Sequence, residues 1–158
     1  MSGRDAPDPA VLHRAFRYAL ALTHDRTQAE DLVHDAWIRV HGRRQAVEPA
    51  YLITTLRNLW IDLQRRRAVV PMVPLDHEVA GRPLTEAALV AHDEVGHALG
   101  TLPEAEREVL FLNVVEGWTA REIAELVGRP RNTVLTWLAR ARHRLATWRA
   151  NHPDQEVL

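Results

Sequence analysis

The stretch REIAELVGRPRNTVLTWLARAR, residues 121–142, decides how the chain folds. Apolar residues recur at helical period on both sides of Gly128, and a glycine there stops one helix before the next begins. Thr119 and Glu122 form a capping box ahead of the first helix. Pro130 falls where the first turn of a helix tolerates proline. The second helix then runs to about Trp148. Two short helices around a glycine turn have helix-turn-helix spacing, in which the second helix lies in the DNA major groove and the first braces it across the backbone.

Placing Val134 at the centre of the buried face sets Leu138, Ala141 and Leu145 within about 40° of it, at 100° per residue. Asn132, Thr136, Ala139, Arg140 and His143 then point outward. Asn and Arg pair bidentately with adenine and guanine edges. Arg129, Arg131, Arg142, Arg144 and Arg149 flank them, in reach of phosphates. Trp137 falls about 60° to one side of the buried centre and Leu135 about 100° to the other. Trp137 is expected at the core edge. Leu135 is expected at the boundary, facing either a thymine methyl or a neighbouring helix. Taken alone, the stretch fits equally well a plain helical bundle with a solvated Arg face.

Outward from it, nearly every segment has helical period. Val11, Leu12, Phe16, Ala19, Leu20 and Leu22 predict a helix over about 9–22. Thr27 with Glu30 predicts a capped start for the next, whose Ala29, Leu32, Val33, Ala36, Trp37 and Val40 follow the i, i+3, i+4, i+7 pattern up to Gly42. Pro49 opens a third helix, about 49–67, with Leu52, Leu56, Leu59 and Leu63 on one stripe. VVPMVPLDHEVAGRP, 69–83, is broken by three prolines and a glycine and reads as a linker; extended, it would reach about 50 Å. Helical signal resumes from Leu84 to Leu99. Thr101 and Glu104 predict another capping box before AEREVLFLNVVEG. The expectation is an all-α chain: a helical domain over 1–68, a flexible linker over 69–83, a helix-turn-helix domain over 84–150 and a tail over 151–158.

Charge follows the same division. The chain of 158 residues has a net charge of −1, which alone disfavours a nucleic-acid partner. The distribution favours one. Residues 36–68 hold seven Arg against two acids, and 121–149 again seven against two, whereas 69–120 hold two Arg against nine acids. Two cationic blocks predict two anion-binding surfaces. Every basic residue other than histidine is Arg, which a GC-rich genome explains without appeal to function. With no cysteine, disulfides, thiol catalysis and cysteine–zinc sites are excluded. No apolar run is long enough to span a membrane, and the N-terminus lacks the pattern of a secretion signal, so a cytoplasmic location is expected.

AEDLVHDAWIRV, then YLITTLRNLWIDLQRRR, a proline-bearing linker, and ALGTLPEAEREVLFLNVVEGWTAREIAELVGRPRNTVLTWLARARHRL together resemble, in that order, a bacterial RNA polymerase sigma factor of the extracytoplasmic-function (ECF) group. The resemblance covers about residues 11–148. It implies two helical domains, regions 2 and 4, that bind the polymerase core and direct initiation at minus-10 and minus-35 promoter elements. It implies that Asp31, Leu32, His34, Asp35 and Arg39 contact the clamp helices of the largest polymerase subunit. His34 stands where the family usually has Gln, and a neutral imidazole still donates one hydrogen bond and accepts another. Taken alone, solvation of a helix face is the plainer explanation of Asp31 and Asp35. The minus-10 set would be Arg57, Asn58, Trp60, Asp62, Arg65, Arg66 and Arg67, with the loop 41–49 receiving an extruded base. Trp60 replaces a usually small residue and is either a stacking platform or a buried core residue; Asp62 and Arg66 also have i, i+4 ion-pair spacing. The minus-35 set would be Arg129, Arg131, Asn132, Thr133, Thr136, Arg140, His143 and Arg144. The acidic linker would thread polymerase channels, and an anti-sigma protein is an implied partner. No cofactor, metal or catalytic group is implied.

Two other classes fit less well. HDEVGH, 92–97, resembles the metalloprotease HExxH only superficially: its histidines are five apart, about 140° from same-face spacing. No phosphate-binding glycine loop or nucleophile elbow is present, so catalysis is not expected. A stand-alone helix-turn-helix regulator would leave the basic block of 36–68 unexplained. A sigma-like protein that binds polymerase without selecting promoters stays open, because the last helix offers a thin polar face.

Overall fold

The computed structural model describes residues 7–42, 47–69 and 98–153. The chain divides into two units, Met1–Pro83 and Leu84–Leu158. All the regular structure among the described residues is helical: α1 (Pro9–Thr23), α2 (Arg26–His41), α3 (Pro49–Val69), α4 (Glu104–Val114), α5 (Ala120–Val127) and α6 (Arg131–Asn151). The expected linker beyond Val69 and nearly all of the expected helix over 84–99 lie outside the described residues. Val69 still belongs to α3 and Asn151 to α6.

In the first unit the three helices pack on one another pairwise. Pro9 opens α1 behind Asp8, whose carboxylate accepts the Ala10 N–H at 2.9 Å. α1 ends at His24, held in the left-handed region at φ 55 with its N–H on Leu20 O. Thr23 Oγ1 lies 2.9 Å from both Ala19 O and Asp25 O and accepts the Asp25 N–H, so this tight corner is tied on both sides. The cap of α2 is Asp25, which accepts the Gln28 N–H at 2.9 Å, and not Thr27 as its spacing suggests. An Asp two residues upstream reaches the orphan donors first. Glu30, freed from any box, pairs with Arg26 at 2.8 Å.

Small residues set how closely these helices approach. Ala15, Ala19 and Ala21 of α1 and Ala29 and Ala36 of α2 are buried, and Tyr18 is fully enclosed. On α3 the buried set is Leu52, Ile53, Leu56 and Trp60, whereas Leu59 and Leu63 are only half-buried. The stripe is therefore rotated from the all-leucine one. Ile53 and the large indole bury more apolar surface than two leucines on the flank, at about 25 cal/mol per Å².

In the second unit, 98–100 close a helical turn whose Ala98 carbonyl accepts from Thr101 Oγ1 at 2.7 Å. Thr101 is thus committed to the preceding helix. α4 starts at Pro103 with no side-chain cap, so the box expected from Thr101 and Glu104 is not formed. The box at Thr119 is: its hydroxyl accepts the Glu122 N–H, and the Glu122 carboxylate accepts the Thr119 N–H at 2.7 Å. Gly128 adopts φ 66, a conformation that an L side chain resists, and its N–H closes on Ala124 O. α4 and α5 both pack on α6, around Val109, Leu112, Ile123, Val134, Leu138 and Ala141.

Candidate nucleic-acid interface

α5, the turn at Gly128 and α6 form the helix-turn-helix. Ile123 and Val134 are fully buried at its inner corner, Leu138 and Ala141 continue the buried line, and Leu145 is half-buried. Arg129, Arg131, Asn132, Arg140 and His143 are exposed, and their side chains make no hydrogen bond or ion pair among the described residues. Thr136 is exposed, but its hydroxyl donates to Asn132 O at 2.9 Å within the helix. Thr133 is half-buried. Trp137 is half-buried, at the core edge, whereas Leu135 is 39% exposed.

Two of the arginines hold the helix rather than face outward unengaged. Arg144 Nε lies 2.9 Å from Glu106 Oε2 on α4, whose carboxylate is almost wholly buried. The guanidinium N–H is not aimed along that contact, so the link is an ion pair by proximity and not an aligned hydrogen bond. Arg144, expected at the minus-35 DNA, also makes a cross-helix tie here: leaving the buried carboxylate unpaired carries a desolvation penalty. Arg142 Nη2 donates to Asn113 Oδ1 at 3.0 Å, and Asn113 Nδ2 donates to Trp118 O at 2.8 Å. Asn113 thus joins the α4–α5 turn to α6. Nothing in the sequence pattern reveals the partners of Arg142 and Arg144, because both lie on another helix, the first of them 29 residues away along the chain. Burial pulls the Arg107 guanidinium of α4 below its ordinary value, against the pull of Glu104, yet arginine stays charged across the physiological range.

On α3, Asn58, Asp62, Arg65, Arg66 and Arg67 are exposed and Arg57 is half-buried. The three arginines occupy the last turns, where cations complement the helix dipole. Arg67 approaches Gln28 Oε1 only at 3.4 Å. Asp62 and Arg66 form no ion pair, so the spacing overstated that link. Trp60, placed among the minus-10 residues, is 5% exposed and lies in the core of the first unit. It is not available for stacking on a base: its ring is worth more as buried surface. Of the loop 41–49, residues 43–46 lie outside the described residues.

On α2, Asp31, His34, Asp35 and Arg39 are exposed, but Leu32 is 5% exposed and belongs to the core. Ile38, 59% exposed, shares the face with Asp31 and Asp35 and was missed. Its signal was present: it stands seven residues after Asp31, hence on the same side of the helix.

Among the described residues no group of three or more His, Asp or Glu is placed to hold a metal ion, and no helix is long and apolar enough to cross a membrane.

Fold and site together define a two-unit helical protein with a helix-turn-helix in the second unit and exposed cations on both. Residues 9–69 match sigma-70 region 2, and residues 92–145 match sigma-70, region 4. The chain is 30% identical over 153 residues to the ECF RNA polymerase sigma factor SigL of Mycobacterium tuberculosis, covering 85% of this chain and 86% of that one. It is 30% identical to EcfG of Rhodopseudomonas palustris, covering 84% and 76%. It is 29% identical to SigE of Mycolicibacterium smegmatis, spanning 90% of this chain but only 60% of that protein's length. Its fold is similar to that of the sigma factor RpoE of Bartonella quintana, solved in complex with the anti-sigma factor NepR, with a TM-score of 0.61 and 24% identity over 86% of this chain and 89% of that one. It is also similar to CnrH, solved with the cytosolic domain of CnrY, with a TM-score of 0.56 and 22% identity over 88% and 80%. The chain belongs to the ECF sigma factors of the sigma-70 family.

Proposed function

We propose that this chain binds the RNA polymerase core and directs transcription initiation at specific promoters, without itself catalysing a reaction. The first unit, with its linker, spans 1–83, and α6 in the second unit reads the upstream element. The observation that carries this reading is the pair of exposed cationic helical surfaces, one on each unit, each within a matched sigma region. Asn132 and Arg140, with Arg131, Thr133, Thr136 and His143 around them, meet minus-35 base edges; Arg129 meets phosphate. Arg57, Asn58, Asp62, Arg65, Arg66 and Arg67 meet the minus-10 region, where cations draw the phosphates of the separating strands. Asp31, His34, Asp35 and Arg39 dock on the polymerase. An anti-sigma protein restrains the chain, as the similar sigma factor RpoE, solved with the anti-sigma factor NepR, suggests. All these contacts lie in the cytoplasm, where polymerase and promoter are.

The test is transcription in vitro with polymerase core on a genomic DNA library, followed by mapping of start sites. Start sites that appear only when the chain is added support the proposal. A stable assembly with core that starts nowhere in particular favours a polymerase-binding protein that selects no promoter. Neither assembly nor transcripts refutes both.

A further inference from the structure

We propose that Leu135 reads a thymine through its 5-methyl group, so that an apolar contact helps set the DNA sequence that α6 selects. This rests on the promoter-reading role proposed above.

Leu135 is the fifth residue of α6, in the N-terminal part of the second helix of the motif, the part that meets base edges in the major groove. It is 39% exposed, whereas its neighbour Val134 is fully buried, so packing of α6 on α4 and α5 leaves it outside. Exposure of a single leucine is ordinary and carries nothing by itself. Its surroundings give it a ligand. Asn132 lies three residues before it and Ala139 four residues after it, on the same side of the helix, and both are exposed. Asn132 offers a bidentate amide, which suits adenine N6 and N7. Thr136, the next residue, has its hydroxyl proton held by Asn132 O. The arc from Asn132 through Leu135 to Ala139 therefore presents one amide and a patch of aliphatic carbon. In the major groove the base-pair feature that matches aliphatic carbon is the thymine C5-methyl, and adenine on the other strand or at the next step suits the amide.

The chemistry of the rest of the face points the same way. Arg142 donates to Asn113 and Arg144 pairs with Glu106, so the unengaged arginines nearest Leu135 on α6 are Arg131 and Arg140. Arg121 lies 4.0 Å from Glu125 within α5. What remains outward on α6 is a short polar set, and an apolar contact fills the gap between Asn132 and Arg140.

The experiment uses holoenzyme assembled from the source organism's polymerase core and the full chain. Duplexes that it retains are selected from a random library, and each thymine of the enriched upstream element is replaced singly by deoxyuridine. That change deletes the methyl and leaves base pairing and O4 intact. At one thymine, deoxyuridine is expected to weaken wild-type binding about fourfold, the equivalent of ~0.8 kcal/mol for one buried methyl group. Leu135→Ala loses about as much on the thymine duplex and nothing further on deoxyuridine. Alanine is the strongest helix former, and an unchanged thermal unfolding transition shows that this variant is folded. Leu135→Met keeps an apolar side chain of similar reach and keeps the methyl dependence. An enriched element whose thymines all tolerate deoxyuridine, or which lacks thymine, overturns the inference and leaves promoter reading intact. So does a deoxyuridine penalty that persists undiminished in Leu135→Ala. Absence of any enriched element overturns promoter reading, and this inference with it.

Discussion

α3 and α6 carry similar charge and use it differently. The arginines of α3 at 65, 66 and 67 sit together at the end of a helix, exposed, with only a 3.4 Å approach of Arg67 to Gln28. Those of α6 are spread along two faces, and two of the four between 140 and 149 are engaged in holding the helix to α4. A cluster of uncommitted cations suits phosphate, which has no sequence. A helix fixed by cross-ties and offering a few outward groups suits base edges, where a displacement of about 1 Å abolishes a bidentate contact. The comparison teaches that counting arginines overstates the reading capacity of α6 and describes α3 fairly.

The largest expected effect lies on α3. Replacing Arg65, Arg66 and Arg67 by Ala is expected to reduce open-complex formation about 100-fold at physiological salt and to lower the slope of log K against log salt by roughly two to three units. Permanganate footprinting across a salt series measures both. An unchanged slope would break the contrast, because the cluster would then not touch phosphate. On α6, Arg140→Ala or Asn132→Ala is expected to lower affinity for the upstream element about tenfold, within the ~1–3 kcal/mol of a lost bidentate contact. Discrimination between wild-type and mutated elements falls alongside. Binding to polymerase core stays unchanged, and loss of it in these variants would count against separate roles for the two units.

Much of this was legible because helices announce themselves locally. Apolar period, Pro49, Gly128 and the Thr119–Glu122 box place α3, α5 and α6 within a few residues of where they lie. The failures share one cause. Thr27 and Thr101 lost their expected caps to groups nearer the orphan donors or to a preceding carbonyl. Leu32, placed in the contact set by the resemblance, lies inside, and of the two readings of Trp60 the buried one holds. The tie of Arg144 to Glu106 is not legible in the sequence, since that partner lies on another helix. Local pattern fixes which way a residue faces. It does not say which distant group meets it there.

Arg144 offers a smaller and sharper test of the same contrast. Arg144→Ala leaves the Glu106 carboxylate buried without its cation. Removing one partner of a fully buried pair costs about 3–5 kcal/mol, but Arg144 is half in solvent, so a loss of about 1–2 kcal/mol is expected once screening is allowed for. Thermal unfolding of the variant should show it, while Arg140→Ala, exposed and untied, leaves stability within about 0.5 kcal/mol. Glu106→Gln with Arg144→Ala should recover part of the loss, since a neutral amide is less costly to bury than a carboxylate. If Arg144→Ala instead leaves stability intact and lowers the salt slope of DNA binding by about one unit, Arg144 is a phosphate contact and α6 is closer in kind to α3.

The smallest effect concerns the helix that braces α6. Thr119 Oγ1 and the Glu122 carboxylate cap α5 reciprocally, and Thr119→Ala is expected to cost about 1 kcal/mol. In a domain this small that lowers the melting temperature by about 4–8 °C. The hydrogen bonds from Thr119, the backbone N–H first and the hydroxyl second, hold the Glu122 carboxyl below its ordinary value. A carboxyl depressed on folding stabilises the fold above its unfolded pKa and loses that contribution as pH falls through the folded one. The wild-type chain should therefore lose stability on acidification through that range, and Glu122→Gln should remove this part of the pH dependence. Because α5 packs on α6 and α3 belongs to the other unit, acidification should weaken upstream-element binding before it affects opening at the minus-10 region. Equal sensitivity of the two steps would show that the brace and the reading helix are not coupled in this way.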